Sequence, residues 1–396
     1  MKWRYFILTL FTLTVSFNIA QEDTNSTINN YKTYLVSENT GSLASNHLPL
    51  NFFRRIIKGG EIIDSDKGQT QNQNSIRRTG LELDLMYGVK LLDTKKNKGY
   101  FINFQQLITG AGQYEQGLFN LIFVGNSEIN SPLYLNKTSF HFRKHHILHL
   151  GVQRNQFEFG IALGNILNEY QGKFNSDDQL SFISPFLWEI SISPDFLFLE
   201  NNPSSIRKNG NSIGFDLAYC SKNNNNKNYS YNLSLKNLGV MYLHRNLTAL
   251  NIDTSFNYTG FKLEEILNFN ETIAELSEDF GISNYNETEL QITPFTFNAN
   301  YQYHFNNANI YSNLFYRHKS QFLPRLNIGY EKIINQKISA GTNLTYGGYN
   351  KLQWGGNIAY MLDNVNANLQ VYNLLGFSPK IGKSFGIQLK IQWLLF

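Results

Sequence analysis

Four histidines crowd one stretch of the chain, His141, His145, His146 and His149 in FHFRKHHILHLGV. Histidine is the commonest metal ligand and the side chain that titrates near neutral pH. On a helix, His141, His145 and His149 would share one face and offer a metal site. Their neighbours alternate instead, with Phe140 and Phe142 before and Leu148, Leu150 and Val152 after. That is strand periodicity, in which residues four apart lie about 13 Å from one another. Zinc holds its nitrogen ligands at about 2 Å, so such a row is too widely spaced to share an ion. His145 and His146 point to opposite faces. The expectation is a polar, titratable wall or turn and no metal site.

Serines and histidines are scattered along the rest of the chain, and no spacing selects a nucleophile with its base. No enzymatic activity, catalytic residue or cofactor is expected. Cys220 is the single cysteine, so no intramolecular disulfide can form. Sequons such as Asn136-Lys137-Thr138 and Asn343-Leu344-Thr345 arise by chance in a chain this rich in asparagine.

The elements that carry these residues leave a mark on composition. Charged residues make up 16% of the chain, against roughly 25% in ordinary soluble domains. Aromatics reach 15%, with 31 Phe and 23 Tyr, yet the mean hydropathy is −0.33. Helical membrane proteins need apolar runs of about 20 residues, and none follows the N-terminus. A membrane barrel needs none, because lipid-facing and lumen-facing residues alternate along each strand. The net charge of +4 comes without a basic block, so nucleic acid is not an expected partner.

Met1–Ala20 reads as a secretory signal peptide. Lys2 and Arg4 precede the apolar run Phe6–Val15, and cleavage is expected near Ala20. Residues 21–79 read as a polar, irregular N-terminal segment, a candidate plug for the lumen. One apolar patch within it, Leu48, Leu50, Phe52, Phe53, Ile56 and Ile57, is suited to docking.

From Gly80 the period becomes two. Leu81, Leu83, Leu85, Tyr87, Val89 and Leu91 alternate with Glu82, Asp84, Met86, Gly88 and Lys90. Eleven residues is about the length of a membrane-crossing strand. Tyr100–Ile108 and Gly117–Val124 read as the next strands. Phe295, Phe297, Ala299, Tyr301, Tyr303 and Phe305 alternate with Thr296, Asn298, Asn300, Gln302 and His304. Similar rows follow to the C-terminus, including Trp354 after the turn Gly347-Gly348-Tyr349-Asn350 and a last row through Trp393 to the terminal Phe396. Residues 80–396 are therefore expected to form an all-β, transmembrane antiparallel barrel of about 14 strands. Candidate lumen-facing residues are Glu82, Asp84, Lys90, Asn298, Asn300 and Gln302. Candidate lipid-facing residues are Leu81, Leu83, Leu85, Tyr87, Phe295, Phe297, Tyr301, Tyr303, Trp354 and Trp393. Lys262–Phe280 departs from the pattern, its apolar spacings of three and four marking one short acidic loop helix.

Several runs carry a resemblance: Leu50–Gly68, Gly117–Ile129, Ser212–Tyr219, Ser234–Asn246 and Phe256–Leu263. Together they resemble an uncharacterised family of Bacteroidetes outer-membrane barrels. In that family a strand ends in an Asp-Leu-Gly turn, whose place Asn237-Leu238-Gly239 takes here. The resemblance implies a barrel similar to the long-chain fatty-acid transporter type and, more distantly, to the PorP/SprF-type barrels.

Two functions compete. One is a porin-like channel or transporter for a small solute, hydrophobic solutes included, in the outer membrane of a Gram-negative bacterium. The other is a non-conducting membrane scaffold associated with type IX secretion, gliding or surface assembly. Expected partners are outer-membrane lipid, the barrel-insertion machinery and envelope proteins.

Overall fold

The computed structural model describes residues 31–396, apart from Glu61, residues 64–66, 68–74, 126–131, 185–186, 193–194, 200–209, 222–227, 245–246, 250–251, 258–282, 286–287, Gln321 and Phe396. The signal peptide expected over Met1–Ala20 and the acidic helix expected over Lys262–Phe280 both lie outside the described residues.

Fourteen strands form the barrel and are numbered here in chain order. They are β1 (Tyr31–Ser45), β2 (Ile76–Asp93), β3 (Lys98–Glu115), β4 (Ser139–Arg154), β5 (Phe157–Lys173), β6 (Gly210–Cys220) and β7 (Tyr229–His244). The circuit continues with β8 (Thr296–His304), β9 (Ala308–Arg317), β10 (Leu323–Ile333), β11 (Ile338–Gly348), β12 (Leu352–Met361), β13 (Val365–Val371) and β14 (Ser384–Leu394). Each pairs antiparallel with the next, and β14 returns to β1 from Tyr34↔Leu394 to Ala44↔Ser384. Closure removes the unpaired edges that an open sheet would expose.

Two strands change partner along their length. The upper part of β5, Glu169–Lys173, pairs with Asp195–Leu199, and its lower part with β6. On β7, Val240–His244 pairs with Thr288–Ile292 and Tyr229–Lys236 with β8. Pro294 separates those two partners, and a proline has no N–H for a ladder. Opposite it, Asn237 turns left-handed (φ 58°). The Thr293 hydroxyl donates to the Asn237 carbonyl and accepts from the Gly239 amide. A Cβ on Gly239 would sit 2.0 Å from the Ile213 carbonyl oxygen. The Asn-Leu-Gly run is thus a bulge that needs its glycine.

The barrel is apolar outside and polar inside. Val89, Leu91, Tyr100, Ile102, Phe159 and Ile161 are exposed, while Arg143, His145, His149, Glu169 and Asn343 are among the largest fully buried side chains. A water-soluble protein reverses that order, because apolar burial drives its folding. Lipid is the solvent that such a surface fits. No helix among the described residues is long and apolar enough to cross a membrane.

Two expectations from sequence need correction. The barrel begins at Tyr31 and not at Gly80, since Tyr31–Ser45 is the strand that closes the circuit. Its outward row contains Ser37, Asn39 and Gly41, so its period carried little hydropathy contrast. Gly117–Val124 is not a strand, because Gln116–Phe123 forms a helix, α2. Its spacing of four sets Phe119 against Phe123 at 4.7 Å between ring centroids, and both rings meet Phe52.

Phe52 belongs to the helix α1 (Leu50–Lys58), whose apolar patch docks on α2. Gly59, in the left-handed conformation (φ 65°), ends α1, where glycine carries no steric penalty. His47 lies edge-on to Phe119 at 5.3 Å and is buried. Burial, with Arg77 and Lys383 adding repulsion, pushes its pKa down to about 4. The folded value lies below the ordinary histidine value of 6.5, so the unfolded segment binds the proton more readily between the two. His47 therefore supports docking above pH 6.5 and loses that support as pH falls toward 4. Limited proteolysis after Arg54 and Arg55 is expected to speed up across that window, and less so in His47→Gln.

Candidate functional site

The inward rows of the barrel enclose two cavities. The chamber has a volume of about 560 Å³ and is walled by Glu38, Lys236, Asn298, Asn300, Gln388 and Lys390, among others. A second cavity of about 680 Å³, the vestibule, opens on the side of the long loops. Glu82, Asp84, Asn298, Asn300 and Gln302, read from sequence as lumen-facing, lie on the chamber wall. Lys90 sits in phase with Glu82 and Asp84 and pairs with Glu158 of that wall. Among the described residues of 46–75, none lines either cavity.

The residues read as lipid-facing occupy the opposite phase. Leu81, Tyr87, Tyr301, Trp354 and Trp393 are exposed on the outside. Leu83, Leu85, Phe297 and Tyr303 are half-buried in the same outward rows. Phe295 lies one residue before β8 and stacks on His318 at 4.8 Å.

A layer of buried ions divides chamber from vestibule. Arg317, at the end of β9, touches both cavities. Its Nη2 donates to Glu82 Oε1 at 2.8 Å and to Asp84 Oδ2 at 3.0 Å, both on β2. Strands β9 and β2 stand seven places apart in a circuit of fourteen, so this contact spans the lumen. Beside it, Arg143 of β4 forms a two-pronged pair with Glu169 of β5, Nε donating to Oε2 at 2.6 Å. Arg143 Nη1 also donates to the Lys319 carbonyl at 3.3 Å in the turn after β9. His145 Nε2 lies 3.5 Å from Glu169 Oε2. Such two-pronged, charge-assisted bonds hold a fixed geometry.

From Asp84 a polar chain continues round the wall. Gln105 donates to Asp84 at 2.7 Å, and its carbonyl faces His149 Nε2 at 3.0 Å. His149 Nδ1 faces Asp216 Oδ2 at 2.6 Å, and Asp216 accepts from the Asn237 amide at 2.7 Å. Three of the four clustered histidines, His141, His145 and His149, thus sit in one buried inward row on β4 and serve the wall. Among the described residues no group of histidine, cysteine and carboxylate side chains has the geometry to hold a metal.

Tyr349, in the β11–β12 turn, folds inward above this layer. Gly347 and Gly348 permit the turn with φ of 99° and 72°. The Tyr349 hydroxyl donates to the Ser320 carbonyl at 2.9 Å, and its ring packs edge-on to Phe322 at 5.1 Å. Burial raises the Tyr349 pKa. A Cβ on Gly80 would lie 2.2 Å from that ring. Gly80→Ala is therefore expected to cost about 1–3 kcal/mol by overpacking. Tyr349→Ala in the same chain should recover much of that cost in a urea unfolding series, a coupling that a double-mutant cycle would measure.

Sequence reasoning missed Arg143, Glu169 and Arg317. The available signal was a charge in the inward phase of a strand, as Arg143 shares the phase of His141 and His145. Two Gly-x-Ser-x-Gly runs occur, Gly210–Gly214 and Gly382–Gly386. Neither forms the strand-to-helix elbow that the hydrolase motif needs. Ser212 lies within β6, and the Ser384 hydroxyl, where β14 starts, accepts from Asn373 and Asn350.

No curated protein matches this chain. Among solved structures, it is similar to a deletion mutant (deltaS2S3) of the TodX monoaromatic hydrocarbon channel. The two are 8% identical over 92% of this chain and 90% of that one, with a TM-score of 0.44. It is likewise similar to a Pseudomonas aeruginosa FadL homologue, 8% identical over 92% and 90%, with a TM-score of 0.42. The translocator domain of the autotransporter NalP from Neisseria meningitidis is 6% identical over 98% and 95%, with a TM-score of 0.31. The model of a family of unknown function, DUF5723, matches residues 29–370, and the chain belongs to that family.

Proposed function

We propose that the protein is an outer-membrane channel for a small polar solute, held shut at rest by the ion layer of Arg317, Glu82, Asp84, Arg143 and Glu169. The observation that carries this reading is a polar chamber that meets a second, mixed-walled cavity at Arg317. An inert barrel of this width would be expected to fill its interior with packed side chains, and a path for apolar cargo would be lined by apolar ones. The chamber wall is instead mostly amides and charges, with few apolar side chains such as Met86, Phe315 and Tyr372. An apolar solute would have to displace water from those groups without replacing its hydrogen bonds. Export through the Met1–Ala20 leader and insertion with Tyr31 and Leu394, the outer ends of the first and last strands, on the short-turn, periplasmic side complete the proposal.

The ion layer itself favours the second reading, a sealed scaffold. Swelling of proteoliposomes in solutions of glycine and arabinose separates the two. The channel reading expects solute entry in wild type that accelerates when Glu82→Gln and Asp84→Asn loosen the hold on Arg317. Liposomes that do not swell with either protein would leave the scaffold.

A further inference from the structure

The vestibule differs in charge from the chamber. In the chamber wall, carboxylates and cations nearly balance, with Glu38, Glu82, Asp84, Glu158 and Glu331 set against Lys236, Arg317, Arg325 and Lys390. The vestibule wall holds Arg78, Arg143, Lys173, Arg317 and Lys319, and Glu289 is the one carboxylate among its described residues. Arg143 and Arg317 are neutralised by the ion layer. Arg78 and Lys319 spend hydrogen bonds on neutral amides, Gln113 Oε1 at 3.0 Å and Gln291 Oε1 at 2.9 Å. Among the described residues, a surplus of positive charge therefore remains in a walled space.

Two buried nitrogens on that wall have no hydrogen-bond partner. One is His141 Nε2, on a residue 6% exposed, and the other is Arg317 Nε, on a residue 2% exposed. Leaving a buried donor unpaired costs about 1–3 kcal/mol. An anion in the vestibule would satisfy the Arg317 donor directly, and the His141 ring nitrogen when it carries a proton. Arg317 Nη2 is occupied by Glu82 and Asp84, so an oxyanion seated against Arg317 would compete with the two carboxylates for the same guanidinium, whose Nε has no partner.

We propose that the vestibule is a binding site for a small organic anion carrying carboxylate or phosphate groups, received by Lys173, Lys319 and Arg78 and seated against His141 and Arg317. This rests on the channel reading and gives its solute a chemical class. Arginine suits such a ligand because its planar fork matches the geometry of carboxylate and phosphate oxygens.

Calorimetric titration of the full chain in a neutral detergent, at fixed ionic strength, tests the site with citrate and with inorganic phosphate as probes and glycerol as the uncharged control. Saturable binding of citrate or phosphate, none of glycerol, and affinity at least tenfold weaker in Lys173→Gln/Lys319→Gln is the expected result. Both lysines are exposed, and unchanged heat-modifiable gel mobility confirms that the variant barrel is intact. No saturable binding, or equal affinity in the variant, overturns the proposal. The same titration in phosphatidylcholine nanodiscs should preserve binding. Capture of phosphatidylglycerol headgroups with no response to free citrate or phosphate would assign the basic wall to lipid and also overturn it. Binding without solute entry into liposomes would sink the channel reading alone, and entry without binding would sink this inference alone.

Discussion

Arg317→Ala is expected to raise single-channel conductance in planar bilayers severalfold and to destabilise the barrel by about 3–5 kcal/mol, the usual result of stripping one partner from a buried ion pair. Both effects have one cause. The guanidinium reaches across the lumen to both carboxylates, and its removal leaves Glu82 and Asp84 facing each other without that cation. Their side chains are only 5% and 20% exposed, so water does little to screen them. Adding Glu82→Gln and Asp84→Asn to Arg317→Ala should restore much of the stability while keeping the conductance high. Conductance that stays at the wild-type level while stability falls would show the layer to be a structural brace and not a gate.

Removal of Tyr31–Ser45 is expected to abolish the folded barrel altogether. Residues in a plug would leave the wall intact when deleted and would widen the path. These residues are wall, bonded along one side to β2 from Tyr31↔Asp93 to Ser45↔Thr79 and along the other to β14. Without them β2 and β14 become open edges in lipid, where each unpaired backbone group costs several kcal/mol. Loss of the heat-modifiable band on gels would report the failure. A truncated chain that still ran as a compact barrel and conducted more would restore the plug.

The barrel was legible in sequence wherever one face of a strand met lipid and the other met water. The rows through Leu81–Leu91 and Phe295–Phe305 placed β2 and β8 within a few residues. Strand β1 escaped because its outward row mixes Ser37, Asn39 and Gly41 with Leu35 and Leu43, which erases the contrast that period two depends on. Helix α2 escaped for the opposite reason, an apolar run with no period, whose Phe119 and Phe123 find partners in Phe52 and His47 some 70 residues earlier. The ion layer was only half visible. Alternation gives the phase of Glu82, Asp84 and Arg143, but the meeting of Arg317 with Glu82 across 235 positions of chain is set by strand number and closure, which no local pattern encodes. The histidine row shows the same limit from the other side. Its strand spacing argued against a shared metal, while the Gln105 and Asp216 partners of His149 came only from neighbouring strands.

The strands differ in length in a way that shapes access. Strands β2 and β3 have 18 residues each, and β4 and β5 have 16 and 17, whereas β9 has 10 and β12 has 10. At roughly 3.3 Å per residue and a tilt of about 40°, the first group rises about 40–45 Å and the second about 25 Å, the latter about the height of the lipid belt. The exposed apolar residues of the long strands, Tyr100–Phe104 on β3 and Phe157–Leu163 on β5, crowd the short-turn half. The surplus therefore projects outward as a palisade on one flank, with a low sill opposite. On the channel reading, the wall is lowest at the turns that hold Ser320 and Tyr349, so wall height alone would set the side from which a solute approaches.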